Sequence, residues 1–145
     1  VNLPFLCVRE GACLPQRATP HSAGLDLCAC IDLPMTVLAG ESCVIPTGLA
    51  AALPQDTVGL IFGRSGLGIR HGIVPSNAVG VIDADYRGEI VIGLRNQSAN
   101  DYIVMPQERI AQLVVLPLLM VQACLVDALP PSQRDAGGIG STGRI

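Results

Sequence analysis

The sequence predicts a single all-β domain: a sandwich, a jelly roll or a barrel. Three observations predict it. The 145 residues fit one domain and are enough to bury a core without disulfide or metal staples. Half of them are apolar, yet with two Phe, two Tyr and no Trp the core has to be built from Val, Leu, Ile and Ala. Eleven Pro and sixteen Gly are spread along the chain, so apolar runs are short and turns are frequent.

The elements follow in order. Residues 3–9 read as a first strand, and 23–30, with small and apolar residues alternating, as a second. Residues 34–38 and 42–47 are two short runs parted by Ala39-Gly40, a hairpin-like break. A strand over 57–62 stops at Gly63. Residues 63–70 are the one stretch able to start a helix, and a short one. Further strands are expected at 72–75, 79–82 and 88–95, then polar turn material at 96–100. Runs at 102–105, 109–116 and 118–126 complete roughly ten strands. Pro130-Pro131 ends the regular part, so residues 1–131 form the β domain and 132–145 a mobile, glycine-rich arm. There is no internal repeat and no domain linker.

Net charge is −3, and all nine basic residues are Arg. No basic run occurs, so a nucleic-acid polymer is not an expected partner. Arg carries a planar fork suited to phosphate oxygens, although a codon-biased genome would produce the same inventory. The six Cys stand at 7, 13, 28, 30, 43 and 124, and none forms a C-x-x-C pair, so zinc-ribbon spacing is absent. They are expected as buried, reduced thiols filling small apolar spaces. That expectation suits a reducing, cytoplasmic location, with nucleus and virion left open. No basic region followed by an apolar stretch leads the chain, so no export signal is expected. The apolar run 114–121 is too short to span a bilayer, so no membrane partner is expected. The chain opens on Val, which leaves open whether it is cut from a longer precursor.

Four segments carry polar residues suited to chemistry. Ile82-Asp83-Ala84-Asp85-Tyr86-Arg87-Gly88 gathers two carboxylates, a phenol and a guanidinium. The plain explanation is a solvated turn. The functional one is an Asp acting as general base on a water, with Tyr as a flat platform for a sugar or base. Gly63-Arg64-Ser65-Gly66-Leu67-Gly68 lets backbone approach an anion, with Arg for charge and Ser for a donor, but its glycine spacing excludes a dinucleotide fingerprint. Gly138-Ile139-Gly140-Ser141-Thr142-Gly143-Arg144-Ile145 nearly spells a phosphate loop. Arg144 stands where Lys belongs and Ile145 where Ser or Thr belongs, so that fold is not expected, while the donor-rich strip still suits a triphosphate. Gln107-Glu108-Arg109-Ile110-Ala111-Gln112-Leu113 sets an amide inside an apolar run. Such an amide has to bond neighbouring backbone or present its NH₂ to a ligand.

Taken together and in this order, these segments resemble the five motifs of the trimeric dUTPase family. Ala23-Gly24-Leu25-Asp26-Leu27 is similar to the first motif and Gly63-Arg64-Ser65-Gly66-Leu67 to the second. The run from Gly80 through Val81, Ile82 and Asp83 to Gly88 is similar to the third, and Glu108-Arg109-Ile110-Ala111-Gln112-Leu113 to the fourth. Arg134-Asp135-Ala136-Gly137-Gly138-Ile139-Gly140-Ser141-Thr142-Gly143 is similar to the fifth. The resemblance covers nearly the whole chain.

It implies a jelly-roll-like fold in a homotrimer, with sites between subunits and each arm closing a neighbour's site. The implied reaction is hydrolysis of dUTP to dUMP and pyrophosphate with Mg²⁺. Asp83 would activate the water, and Tyr86 would lie under the deoxyribose. The backbone of Gly80, Val81 and Ile82, with Asn77, would read the uracil edge. Ser65, Gly66 and Gln112 would hold phosphates, and Arg64 and Arg134 would add charge. Ile139, Gly140 and Ser141 of the arm would cover the nucleotide. Asp26 would support the Mg²⁺ through water.

The chain departs from the family where an aromatic residue is usual and Ile139 stands. That removes roughly 0.5–1.5 kcal/mol of ring stacking, so a working enzyme with weaker closure is expected. Asp135, beside Arg134, would soften the phosphate grip. Two rivals are a catalytically weakened nucleotide-binding or regulatory protein on this fold, favoured by Ile139, and a related deaminase, whose extra acid and different third motif are missing.

Overall fold

The chain is described over residues 2–138 by a computed structural model. Ile139, Gly140 and Ser141, with the rest of the predicted arm beyond Gly138, lie outside the described residues. In chain order the elements are β1 (Phe5–Cys7), β2 (Leu25–Cys28), β3 (Met35–Val37), β4 (Ser42–Pro46), β5 (Leu49–Ala51) and β6 (Thr57–Phe62). Then come α1 (Ser65–His71), β7 (Ile73–Pro75), β8 (Gly80–Ile82), β9 (Val91–Asn96), β10 (Tyr102–Val104) and β11 (Arg109–Pro117). The fold is all-β and jelly-roll-like, as the sequence predicts.

Every ladder is antiparallel. A four-stranded sheet runs β2-β11-β6-β8 and a three-stranded sheet runs β4-β9-β7, while β1 pairs with β5 and β3 with β10. The sheets do not close into a barrel. Aliphatic side chains fill the space between them, with Leu27, Ile45, Leu49, Ile92, Leu94 and Leu113 essentially without solvent contact. Period-two alternation sets this up: in β2, Leu25 and Leu27 turn to the core while Asp26 turns away.

Turn chemistry fixes the corners. Gly40 and Gly48 sit at positive φ of 76° and 69°, where a side chain would be strained. The 96–100 turn hangs on Asn96, which is fully buried and fully bonded. Its Nδ2 donates to the Val37 and Asn100 carbonyls at 3.0 and 2.8 Å, and its Oδ1 accepts from the Ser98 N–H and hydroxyl at 2.9 and 2.8 Å. All four bonding positions of the amide are used, which is what a buried amide requires.

Three expectations need correction. Residues 118–126 form no strand: the run leaves β11 as irregular, solvent-exposed chain, because among the described residues no strand edge receives it. Leu119, Met120, Val121 and Leu125 are therefore outside the core. In the other direction, β5 is not signalled by the sequence. Its Leu-Ala-Ala run is buried throughout and shows no alternation, so it carries no strand pattern. The cysteines are free thiols, but none is fully buried: Cys7 and Cys124 are exposed and the other four are half-buried. Burial still pushes the Cys28, Cys30 and Cys43 thiols up, so they favour the protonated form. Among the described residues no helix is long and apolar enough to cross a membrane.

The end of α1 meets β10 through a small polar cluster. The rings of His71 and Tyr102 lie 5.1 Å apart, tilted at 53°. The Tyr102 hydroxyl donates to Glu108, whose other oxygen accepts the Met105 N–H at 2.9 Å. Burial, then the Glu108 carboxylate, pushes the Tyr102 phenol up to about 12. The phenol is held neutral in the folded chain above the pH at which it ionises in the unfolded one. This contribution to stability is therefore complete below about pH 10 and is lost as pH rises towards 12. Thermal melts across that window should show Tyr102→Phe losing less stability than the parent. Parallel pH profiles for the two proteins would refute the coupling.

Candidate active site

The register of β11 sorts its side chains between core and site. Leu113 stands opposite Leu25 on β2 and Ile61 on β6, and all three contribute to the core. One residue earlier, Gln112 stands opposite Asp26 and Phe62, on the other face. The Gln112 amide donates to the Gly63 carbonyl at 2.9 Å, so of the two fates open to it the backbone bond is realised. Gly24 leaves room for this amide: a Cβ at that position would lie 2.5 Å from Gln112 Oε1 and would displace the side chain.

A bulge then brings Arg109 to the same face. Between Arg109 and Ala111 the β2 pairing shifts by one residue, with Arg109 opposite Cys28 and Ala111 opposite Leu27. Ile110 and Ala111 are consequently both buried, and Arg109 emerges beside Asp26 instead of turning inward. Its Nη1 donates to Asp26 Oδ2 at 3.1 Å. Arg64, the residue entering α1, donates from Nε to Asp26 Oδ1 at 3.0 Å and from Nη1 to the Arg109 carbonyl at 3.3 Å. One carboxylate, 13% exposed, thus joins β2, β11 and the β6–α1 junction.

Next to this clamp lies a cavity of about 390 Å³ lined by Asp26, Arg64, Ser65, Gly66, Arg70 and Gln112, with Ser22 and Gly24 at its margin. Five residues predicted for phosphate or metal contact therefore share one space: Asp26, Arg64, Ser65, Gly66 and Gln112. The sequence pattern does not single out Arg70 or the role of Arg109. Arg109 depends on the bulge, which leaves no local signal. Arg70 was legible in principle, four residues after Gly66 on a short helix. Among the described residues no three His, Cys, Asp or Glu side chains gather to hold a metal ion. Both Asp26 oxygens already accept guanidinium N–H groups, but each retains capacity for a further water.

The other predicted residues lie elsewhere on the surface. Residues 76–79 turn between the two larger sheets, with Ala78 at φ 63° and its N–H bonded to the Pro75 carbonyl at 3.2 Å. Strand β7 pairs with β9, and β8 with β6, so the expected 77–82 hairpin is a turn that crosses from one sheet to the other. Gly80 is buried, and a Cβ there would press the Ile61 Cβ at 3.0 Å. Strand β8 is the last of its sheet, so the outer edge of Gly80, Val81 and Ile82 carries peptide groups without a partner strand. Asn77 is exposed at the head of this edge.

After Ile82, Asp83 is exposed and starts a turn in which its carbonyl accepts the Tyr86 N–H at 3.1 Å. The Tyr86 ring lies across Gly88, where a Cβ would fall 2.4 Å from the hydroxyl, and that hydroxyl donates to the Glu89 carbonyl at 3.0 Å. Asp83 borders a different cavity, shared with Asp56, Asp85 and Met120. Arg134 is exposed, with its Nε on the Gly137 carbonyl at 2.9 Å. Within one chain, then, the phosphate-type residues and the Asp83–Tyr86 segment do not meet.

The dUTPase family model matches residues 10–143. The chain belongs to the dUTPase family. It is 49% identical to the deoxyuridine 5'-triphosphate nucleotidohydrolase of Ralstonia nicotianae, over 99% of this chain and 98% of that one. The protein of the same name from Burkholderia multivorans is 46% identical over the same shares. Among solved structures, the dUTPase of Staphylococcus bacteriophage 80alpha with dUPNHPP superposes with a TM-score of 0.90 at 26% identity, covering 98% of both chains. All five dUTPase-like segments lie within the matched residues, though the last extends beyond the described ones.

Removing the clamp's charge tests its energetic weight. Asp26→Asn leaves two guanidiniums facing a neutral amide, so the urea midpoint should fall by an equivalent of about 1–2 kcal/mol. That is less than for a fully buried pair, because Arg109 is half exposed. An unchanged midpoint would show that solvent replaces both bonds at no cost.

Proposed function

We propose that this chain hydrolyses dUTP to dUMP and pyrophosphate, with Asp83 as the base and with active sites completed between three copies of the chain. The observation that carries the reading is the division of the site. One surface offers a polar cavity suited to a triphosphate, and a separate surface offers an edge strand, a tyrosine ring and an exposed carboxylate suited to a nucleoside and a water. Neither is a dUTP site alone, and two copies side by side can join them. The exposed apolar run after β11 supports association as well, because such a stretch favours contact with another chain.

In this reading the unpaired edge of Gly80, Val81 and Ile82 bonds the uracil edge much as a further strand would, with the Asn77 amide beside it. Cytosine fails because its donors and acceptors are reversed and the site's own groups stay unmet. Tyr86 gives the deoxyribose a flat face and leaves no room for a ribose hydroxyl. Ser65, Gly66 and Gln112 bond phosphate oxygens, while Arg64 and Arg134 add charge. The arm, with Ile139, Gly140 and Ser141, closes over the nucleotide.

Asp83 takes a proton from a water whose oxygen attacks the α-phosphorus. The bond from that phosphorus to the bridging oxygen breaks, and pyrophosphate leaves. A Mg²⁺ carried by the triphosphate would supply charge stabilisation at its oxygens, and Asp26 would hold it through water. Positioning and charge stabilisation supply most of the acceleration. Six free thiols, two of them exposed, suit a reducing, cytoplasmic setting.

The test is pyrophosphate release from purified protein across dUTP, dCTP, dTTP and UTP, with dUTP alone turned over. Asp83→Asn should lower turnover by about a thousandfold or more while dUTP binding changes little. Turnover near the parental rate would remove Asp83 from its role. A native mass three times that of one chain is expected in solution, and a monomer that turns over dUTP at full rate would sink the shared site.

A further inference from the structure

We propose that Arg70, on the last turn of α1, contacts the polyphosphate and supplies positive charge that no carboxylate of the phosphate cavity offsets. This rests on the reading that the cavity receives the triphosphate of dUTP.

The side chains around the cavity bring one carboxylate, Asp26, and two guanidiniums, Arg64 and Arg70. Arg64 is bound to Asp26 at 3.0 Å, and its Nη1 is held by the Arg109 carbonyl. Arg109 binds the other Asp26 oxygen but borders a neighbouring cavity with Cys13 and Cys28 instead of this one. The two guanidiniums of the clamp share one carboxylate, so much of their charge is spent on Asp26 before a ligand arrives. Arg70 differs: among the described residues no carboxylate or carbonyl holds its guanidinium.

Helix geometry then directs it to the cavity. Gly66 and Arg70 are four residues apart on α1, so they occupy one face. Helical side chains lean towards the N-terminus, so an Arg70 side chain has the turn at Gly66 within its reach. Nothing stands within 4 Å of the point where a Cβ on Gly66 would be, so that lane is open. Arg70 can extend along it and bring its charge to the phosphate oxygens. A group that acts on polyphosphate charge should matter greatly for a triphosphate and hardly at all for a nucleoside monophosphate bound by its base.

Arg70 also sits where a cation favours the helix end. That structural contribution would survive in Arg70→Lys and would show in melting temperature, whereas the proposed contact shows in ligand selectivity.

The experiment compares full-length parent, Arg70→Gln and Arg70→Lys by calorimetry with inorganic tripolyphosphate, dUPNHPP and dUMP, and by dUTP kinetics. Arg70→Gln should bind tripolyphosphate and dUPNHPP about tenfold more weakly or worse and raise KM more than it lowers kcat, with dUMP affinity within about twofold of the parent. Arg70→Lys should recover most of the loss. The proposal is overturned if Arg70→Gln binds tripolyphosphate like the parent, or if dUMP and dUPNHPP weaken equally. Tripolyphosphate separates this from the broader reading. A parent that binds it through Arg70 yet neither binds dUPNHPP nor hydrolyses dUTP would defeat the dUTP assignment and leave the Arg70 contact standing.

Discussion

The Asp26 carboxylate is the point on which the polar half of the molecule converges. It lies on the outward face of β2, and each of its oxygens accepts from a different guanidinium. Those guanidiniums come from segments 45 residues apart, one at the entry to α1 and one at the start of β11. The arrangement ties the helix start to the four-stranded sheet, beside the apolar anchor that Leu67 gives the same helix. Its precondition is the β11 bulge: strict alternation would turn Arg109 inward and leave Asp26 with one partner. Burying Ile110 and Ala111 side by side is thus the packing event that makes the ion pairs possible, and the core and the site are built by the same irregularity.

The Asp83–Tyr86 segment is held by different means. Among the described residues no ion pair fixes it; a β-turn, the Arg87 guanidinium on the Ala84 and Tyr86 carbonyls, a tyrosine hydroxyl on a backbone carbonyl and a glycine that makes room for the ring do so. Strand β8 reaches this segment as the outermost strand of its sheet, which leaves peptide groups for something other than the chain's own backbone. An unpaired edge is ordinarily a hazard for aggregation. Here it is three residues long and flanked by the exposed carboxylates of Asp83 and Asp85, which limits strand addition and suits a small planar ligand. A rigid clamp on one face and an open edge on another are complementary only when two chains meet, and the proposed function depends on that division.

Much of the fold was legible in the sequence because strand signals here are local. Runs such as 57–62 and 102–105 carry their own apolar pattern and end at glycines or polar turns, and they became β6 and β10 with little change. The failures are equally physical. Residues 118–126 have strand composition, but composition does not supply a partner, and the run stays exposed. Strand β5 has a partner in β1 but no alternation, since both its faces are covered. For the site, Asp26, Arg64, Ser65, Gly66 and Gln112 were readable as an ordered set by resemblance. Their convergence on one cavity, and the separation of Asp83 from it, depend on register and could not be read locally. Arg134 falls within the described chain but contacts its own segment, so its phosphate role draws no support from its position.

The inventory of nine arginines and no lysine has an ordinary genomic explanation, but at Arg64 geometry makes its own demand. That side chain donates from Nε to a carboxylate and from Nη1 to a carbonyl while still lining the phosphate cavity. Two bonds leave part of the fork unspent, and the planar group presents its remaining N–H vectors in fixed directions. A lysine ammonium has three donors on a flexible stem. Two would be taken by the same acceptors, and the charge would be drawn back towards Asp26. Arg64 can therefore be anchored and still meet a ligand, whereas lysine would have to choose between them. At Arg70 the anchoring demand is absent, and lysine should serve nearly as well there. Composition alone cannot tell these two positions apart, but the hydrogen bonds around Asp26 do.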